Sequence, residues 1–139
     1  MAQAIPYLGF NGDCADAMRF YERVLGLGAK LEMSMTGADS PIAERISKEH
    51  AHRVLHARLR FDDGSYIYAG DTPGPYEGIK GVSITMSYAS VSDAARVFAA
   101  LSEGGKVSMP FQSTFWAKGA GTLTDKFGTP WNINGEVIV

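Results

Sequence analysis

The three histidines, His50, His52 and His56, are the residues of this sequence with the greatest capacity for chemistry. Imidazole nitrogens bind transition metals and exchange protons near neutral pH. The spacing H-x-H-x-x-x-H places all three side chains on one side of an extended strand, where they would form a metal site or supply a general base. The segment before them is rich in charged residues. That favours the alternative, in which His50 and His52 lie in a solvated loop and only His56 lies in a strand.

The strand that contains His56 predicts which way its side chain points. Alternate residues of a strand face opposite sides of a sheet. Leu55 and Ala57 are apolar and are expected to face a helix, so His56 is expected to face the other side. The same alternation places further polar and aromatic residues on this open face. The residues predicted to bind a ligand there are His56, Arg58, Tyr66, Tyr68, Ser83, Thr85 and Asn132.

The polar character of that face indicates a wet cavity large enough for a small ligand. A wholly buried face would leave polar groups without partners, at a cost of about 1–3 kcal/mol for each group. A sheet face that is simply exposed to water is the alternative. Arg58 suits a carboxylate or phosphate group, although a salt bridge with Asp62 or Asp63 would explain it equally well.

An aromatic cluster, Phe111, Phe115 and Trp116, lies in a segment of otherwise small and polar residues. Aromatic residues in loops often close a pocket or an interface, so Trp116 joins the predicted ligand-binding residues. Packing of the rings in the core beneath the loop is the alternative. The sequence has neither a G-x-S-x-G nucleophile motif nor a glycine-rich phosphate loop, and no catalytic residue is predicted.

Two helices are expected to position the strands. Apolar residues recur at three- and four-residue spacing after Asp13 and again after Ser90, which predicts an amphipathic helix in each place. Asp13 and Ser90 are typical N-cap residues, and Gly26 and Gly104 end the two apolar patterns. The two patterns are alike, which indicates an internal repeat.

Strands flank both predicted helices in the same order, so each half of the chain is predicted to be a βαβββ module. Gly64 and Gly128 occupy corresponding hairpin turns of the two halves. In the second half, Pro110 is expected to end a short strand that begins at Lys106.

The predicted fold class is α+β, because a four-stranded sheet covered by one helix has a bare second face. Two βαβββ modules would place their helices outside, and their mixed sheets would cup a shared cleft. The chain is expected to form a single domain of residues 1–139, divided into modules at about 1–76 and 77–139. A generic α+β sandwich is the alternative.

Composition narrows the class of protein. The chain has 139 residues, a formal net charge of −2 and 45% hydrophobic residues, which suits one folded domain. No apolar run approaches the roughly 18 residues of a membrane span, and the first residues do not resemble a signal peptide. Neither a membrane nor a nucleic acid is therefore an expected partner. Cys14 is the single cysteine, so a reducing cytoplasm is the expected location.

Several segments carry a resemblance to a known family. They are Pro6-Tyr7-Leu8 leading to Phe10-Asn11-Gly12-Asp13, Phe20-Tyr21 with Leu25-Gly26, the run FQSTFW at Phe111–Trp116 and the run DKFGTPW at Asp125–Trp131. With these segments the chain resembles the vicinal oxygen chelate superfamily, which includes glyoxalase I, bleomycin-resistance proteins and extradiol dioxygenases, and within it the PhnB-like group. The resemblance covers nearly the whole chain. It implies glyoxalase-like paired modules, a cupped cavity and usually a homodimer, but no single reaction.

The resemblance also implies where a metal would bind. Metal enzymes of the superfamily take ligands from the first and fourth strands of each module, usually His, Glu or Gln. The corresponding residues here are Pro6, Tyr68, Ser83 and Asn132, and a one-residue slip of the alignment, which brings in Tyr7, does not improve the set. These residues offer neither imidazole nor carboxylate, so no metal and no other cofactor is expected.

The predicted function is that of a superfamily protein of unassigned role, which binds a small molecule in the cleft without a metal. The apolar loop residues Phe111, Phe115 and Trp116 favour a homodimer. The alternative is a metal-dependent lyase, isomerase or dioxygenase with an atypical ligand set that includes His56. A resistance protein that sequesters a drug without chemistry is a third interpretation. The residues do not decide whether any reaction is catalysed.

Overall fold

The structure is a computed structural model that describes residues 2–139. The chain forms two compact units, one ending at Gly78 and the other spanning Ile79–Val139. The first unit contains β1 (Tyr7–Phe10), α1 (Cys14–Val24), β2 (Lys30–Thr36), a short 3₁₀ helix (Ala43–Arg45), β3 (Val54–Arg60) and β4 (Tyr66–Asp71). The second contains β5 (Ile84–Tyr88), α2 (Val91–Ser102), β6 (Lys106–Gln112), β7 (Ala117–Thr124) and β8 (Pro130–Val137).

Each unit has one mixed four-stranded sheet. In the first unit the strand order is β1-β4-β3-β2, with β1 parallel to β4 and the other pairs antiparallel. The second unit has the order β5-β8-β7-β6 and the same pattern of directions. This topology confirms the predicted α+β class and the two βαβββ modules. The cleft between the modules and the single-domain organisation stay predictions.

One face of each sheet is covered by the helix of its own unit. Large apolar side chains on this covered face each contribute about 1.5–3 kcal/mol through burial. Buried residues of the first unit include Phe10, Ala17, Met18, Tyr21, Ala57, Leu59, Ile67 and Ala69, and those of the second include Ala94, Leu101, Leu123, Trp131 and Ile133. Neither helix, within the residues described, has the length and apolar character that a membrane span requires.

The start of α1 is capped from a distant strand. Asp13 occupies the N-cap position as predicted, but within residues 2–139 its side chain makes no capping hydrogen bond. Asp71, at the end of β4, accepts hydrogen bonds on Oδ1 from the backbone amides of Gly12 at 2.8 Å and Cys14 at 3.1 Å. The helix therefore depends on a carboxylate far away in sequence, since free amides at a helix start need an acceptor.

The start of α2 is capped locally. Ser90 Oγ accepts from the Asp93 amide at 3.3 Å, which confirms the predicted cap. Glu136 of β8 adds a second acceptor, because its Oε2 lies 3.3 Å from the Val91 amide.

The predicted orientation of Leu55 is wrong. Val54 is 1% exposed and fills the core, whereas Leu55 is 37% exposed. The cause is an irregularity in the pairing of β2 with β3, where Met35 pairs with His56 and the next residue, Thr36, pairs with Val54. Such a bulge turns one extra side chain outward.

The predicted end of the strand at Pro110 is also wrong, because β6 continues to Gln112. β6 lies at the edge of its sheet and pairs only with β7. A proline lacks the amide hydrogen that a central strand needs, so it is tolerated at an edge. The pairing is irregular between Met109 and Gln112, which brackets the proline.

Candidate functional site

The open face of the first sheet carries an aromatic cluster around His56. The Tyr7 and His56 rings are stacked with centroids 5.7 Å apart, and Tyr68 meets His56 edge-on at 5.0 Å. Tyr66 meets Tyr68 edge-on at 5.7 Å. The structure thus brings together the predicted residues His56, Tyr66 and Tyr68 and adds Tyr7, which the sequence did not single out as a ligand-binding residue.

Glycine at position 70 allows Tyr7 to reach its hydrogen-bond partner. A Cβ atom at Gly70 would lie 2.8 Å from Tyr7 Oη and 2.9 Å from the Leu55 carbonyl oxygen. Because no side chain intervenes, Tyr7 Oη donates a hydrogen bond to the Leu55 carbonyl at 3.2 Å and lies 3.4 Å from His56 Nδ1. The phenol therefore fixes the imidazole ring on the sheet surface.

The surroundings of His56 favour the neutral form of its imidazole ring. Burial lowers the pKa of His56 below its ordinary value of 6.5, and the positive charge of Arg58 lowers it further. A neutral imidazole accepts one hydrogen bond and donates another, and it is the form that acts as a base. At pH 7 His56 is therefore a hydrogen-bonding group and not a cation.

Arg58 lies beside Tyr68, with its Cζ atom 5.9 Å from the ring centroid. Its Nε is buried and has no hydrogen-bond partner among the described residues. Within the same residues, no ion pair joins Arg58 to Asp62 or Asp63. Asp63 instead accepts from Ser65, which lowers the pKa of its carboxyl group. An unpaired buried guanidinium nitrogen is a donor that a ligand can satisfy.

The open face of the second sheet carries a neutral hydrogen-bonding group. Asn132 Nδ2 donates to Ser83 Oγ at 2.8 Å and to Thr85 Oγ1 at 3.2 Å. Thr85 and Asn132 are direct partners in the parallel pairing of β5 with β8. The structure therefore brings together three of the four residues predicted in this unit, Ser83, Thr85 and Asn132.

Trp116 closes one side of a cavity of about 370 Å³ in the second unit. Its indole Nε1 donates to Asn134 Oδ1 at 3.2 Å, which fixes the ring. The volume lies in the range of about 300–1,000 Å³ that small-molecule sites occupy. The cavity is lined by Thr85, Met109, Trp116, Ala120, Gly121, Thr122, Asn132 and Asn134.

The other two aromatic residues of the predicted cluster have different environments. Phe111 lies in β6, is half-buried and packs against Phe98 of α2 with ring centroids 5.5 Å apart. Phe115 is 81% exposed and meets Trp116 edge-on at 4.9 Å. Phe111 therefore packs under α2, whereas Trp116 lies at a cavity.

The three histidines do not share a strand. His50 and His52 lie in turns before β3, which begins at Val54, and both are exposed. His50 Nδ1 lies 2.9 Å from Ser47 Oγ. The structure agrees with the solvated-loop alternative for His50 and His52 and places only His56 on the sheet.

The predicted metal positions stay predictions, but the register shows which side chains lie beside Tyr68 and Asn132. Tyr7 pairs with Tyr68 in the first sheet, and Thr85 pairs with Asn132 in the second, where Ser83 also contacts Asn132. The connection between first strand and helix spans residues 11–13 in one unit and only 89–90 in the other. An alignment of the two units made on their helices is therefore out of register by one residue on the strands.

The residues present do not fit a divalent metal. Around Tyr68 and Asn132 the side chains supply phenols, hydroxyls and an amide, and transition ions prefer imidazole, thiolate or carboxylate. Among residues 2–139, no group of three or more His, Cys, Asp or Glu side chains lies close enough to hold an ion. The neighbours of His56 are phenols and a guanidinium group, which add no suitable ligand.

The motif at Asp125–Trp131 is structural. Asp125 is 4% exposed, and its Oδ1 accepts from the amides of Phe127 at 2.8 Å and Thr129 at 3.1 Å. Its Oδ2 accepts from Trp131 Nε1 at 2.8 Å. The carboxylate thus holds the β7–β8 turn and anchors a core tryptophan.

Comparison with known proteins decides the family. The profile of the Glyoxalase/Bleomycin resistance protein/Dioxygenase superfamily matches residues 5–133. The chain belongs to this superfamily. It is 33% identical over 137 residues to protein YjdN of Escherichia coli strain K12, a match that covers 93% of this chain and 92% of that protein.

Two solved structures share the fold of this chain. The crystal structure of protein PA1353 from Pseudomonas aeruginosa is 40% identical, with a TM-score of 0.89 and coverage of 98% of both chains. A Bacillus cereus protein described as a putative 3-demethylubiquinone-9 3-methyltransferase, PhnB protein, is 21% identical, with a TM-score of 0.79 and coverage of 96% of this chain and 99% of that one. The second similarity shows the fold alone.

Proposed function

We propose that this superfamily member binds a small organic molecule on the open faces of its sheets and does so without a metal. The observation that carries the proposal is the cavity of about 370 Å³ in the second unit, which combines an indole wall with amide and hydroxyl groups. Hydrogen bonds hold those polar groups in place before a ligand arrives. Trp116 donates to Asn134, and Asn132 donates to Thr85. Preorganised groups lose less entropy on binding.

The lining of this cavity favours a neutral ligand with an aromatic or flat apolar part. Trp116 and Met109 offer apolar contact, and the polar residues described in the lining are threonines and asparagines without charge. The Asn132 amide nitrogen is already engaged with Ser83 and Thr85, so a ligand would meet its carbonyl oxygen. The ligand should therefore present a hydrogen-bond donor at that point.

The first unit adds groups of another kind. His56 is a neutral imidazole and Arg58 has a buried nitrogen without a partner, so this face suits a ligand group that accepts hydrogen bonds. His56, Arg58, Tyr66 and Tyr68 remain proposed binding residues on that basis. A metal-dependent reaction gains no support from them, because His56 is the one imidazole in the cluster described here.

Ligand screening by thermal shift tests the proposal. A compound present at 100 times its dissociation constant should add about 2.7 kcal/mol to the free energy of unfolding. Trp116→Ala should abolish that gain for a compound bound in the second unit, since the variant removes the indole wall. Phe127→Ala is the matched control, because Phe127 is an aromatic residue of the same unit and does not line the cavity. Equal gains in both variants would contradict the site.

We also propose a homodimer in a reducing cytoplasm. Phe115 is 81% exposed, and Val137, Ile138 and Val139 are exposed as well. The Ile138 amide donates a hydrogen bond to the Trp116 carbonyl oxygen, which links these last residues to the loop that contains Phe115. Burial raises the pKa of the Cys14 thiol to about 12, so the single cysteine stays protonated. Light scattering should give a particle mass twice the 15.0 kDa of one chain. Phe115→Asp should lower that mass towards the mass of one chain. A wild-type particle of one chain would refute the dimer.

A further inference from the structure

A cavity of about 440 Å³ in the first unit lies outside the residues assigned to ligand binding. It is formed where the segment that includes the 3₁₀ helix passes over the start of β3 and the end of β4. Its volume is within the range of about 300–1,000 Å³ that small-molecule sites occupy. The residues that matter for its chemistry are Ile42, Arg45, Ile46, Arg53, Leu55 and Asp71.

The apolar wall of this cavity results from the β2–β3 bulge. The irregular pairing turns Leu55 outward, where it lines this cavity. Ile42, which is 45% exposed, and Ile46 complete the wall from the opposite segment. Ile46 lies so close to Gly37 that a Cβ there would be 2.8 Å from Ile46 Cδ1, which shows that the segment is packed down.

The charged part of the cavity is cationic. Arg53 is half-buried, and its Nη2 donates to two neutral acceptors, Asn11 Oδ1 and the Thr72 carbonyl, each at 3.3 Å. Arg45 is exposed at the rim. Among the described residues neither arginine forms an ion pair within 4 Å. Both guanidinium groups therefore retain donors for an anion.

Asp71 is the one carboxylate in the lining, and it is committed elsewhere. Its Oδ1 accepts from the Gly12 and Cys14 amides, and its Oδ2 accepts from the Val54 amide at 2.8 Å. Its oxygens are therefore engaged by neutral donors, but its negative charge remains, and two arginines face the cavity. Two arginines against one aspartate leave an excess of positive charge beside the apolar wall.

We propose that this cavity binds a small organic anion that has a short apolar chain. Its carboxylate would pair with Arg53 and Arg45, and its chain would lie against Ile42, Ile46 and Leu55. Arginine and carboxylate form short, charge-assisted hydrogen bonds that are stronger than neutral ones. This site is separate from the cavity beside Trp116 and does not depend on the proposed function.

Octanoate is the probe, and amide chemical shifts in the full chain are the measurement. Octanoate should perturb amides around Ile46, Arg53 and Leu55, while octanamide, which lacks the charge, and acetate, which lacks the chain, should bind at least tenfold more weakly. Arg53→Gln should weaken octanoate by about tenfold or more. Arg45→Gln should weaken it as well and does not disturb packing, because Arg45 is exposed.

Arg60→Gln is the matched control, since Arg60 is exposed at the end of β3 and does not line the cavity. It removes the same charge and should leave octanoate binding unchanged. Equal affinity of octanoate and octanamide, or equal binding by the wild type and both cavity variants, would overturn the proposal. Both tryptophans lie in the second unit. A compound that changes Trp116 fluorescence while octanoate fails would refute this anion site and leave the proposed function standing.

Discussion

The two units share strand order, strand directions and helix placement, yet the open faces of their sheets differ in chemistry. The first presents phenols, an imidazole and an arginine around Tyr68, whereas the second presents hydroxyls, amides and an indole around Asn132. The covered faces of both are apolar. Close packing constrains the residues under the helix, whereas residues on the open face are not constrained in this way. The two units can therefore share one scaffold and differ in the groups that would contact a ligand.

A second difference concerns how each helix is attached. The start of α1 depends on Asp71, which also accepts a hydrogen bond from the Val54 amide. One carboxylate thus connects the start of α1, β3 and β4. The start of α2 has two separate acceptors, Ser90 and Glu136. Loss of one acceptor should therefore matter more in the first unit than in the second.

The largest effect is expected for Asp71→Asn. The amide group cannot accept on both of its terminal atoms, so at least one backbone donor would lose its partner, at about 2–3 kcal/mol of unfolding free energy. Glu136→Gln should cost clearly less, because the residue is partly exposed and Ser90 still caps α2. Urea unfolding followed by circular dichroism measures both. Similar losses in the two variants would remove the contrast between the units.

An intermediate effect is expected for an introduced metal site in the second unit. The wild type should contain no stoichiometric zinc, nickel, iron or manganese by elemental analysis. Thr85→His combined with Asn132→Glu should raise zinc affinity at least tenfold, because the two positions are register partners on one face. Ser87→His with Asn132→Glu is the control, since Ser87 pairs with Asn134. One metal per chain in the wild type, lost on changing Tyr68 or Asn132, would refute the metal-free proposal.

The smallest effect concerns the titration of His56. Its pKa is lowered in the folded protein, so the unfolded chain binds more protons below about pH 6.5, and the stability due to neutral His56 is lost as pH falls through that region. Proton NMR should give a midpoint below 6.5, and Arg58→Gln should move it upward by removing the nearby charge. Arg60→Gln, on the same strand, should not move it. A midpoint unchanged by Arg58→Gln would exclude that electrostatic contact.

Sequence periodicity predicted the elements that depend on local pattern. Alternation correctly placed Tyr66 and Tyr68 on one face, and Ile67 and Ala69 are buried on the other. Features that depend on partners far away in the chain were not accessible in this way. The outward turn of Leu55 requires the β2–β3 register, and the capping by Asp71 requires β4 to lie beside the start of α1.

The placement of Ser83 shows how a repeat misleads. The helices of the two units align without a gap, but the strand before α2 is one residue closer to its helix. The helix alignment therefore matches Pro6 with Ser83, whereas the strands match it with Ile84, and in a strand a shift of one residue moves every side chain to the other face. None of Pro6, Tyr7, Ser83 and Ile84 supplies an imidazole or a carboxylate.

The shared acceptor at Asp71 also bears on how the first unit opens. The amide hydrogens of Gly12, Cys14 and Val54 all end on this one side chain. When that carboxylate leaves its position, all three amides become accessible to solvent in the same event, although they belong to different segments. Hydrogen exchange at these amides should therefore follow a single opening equilibrium, whereas the Val91 amide of the second unit should exchange at an independent rate.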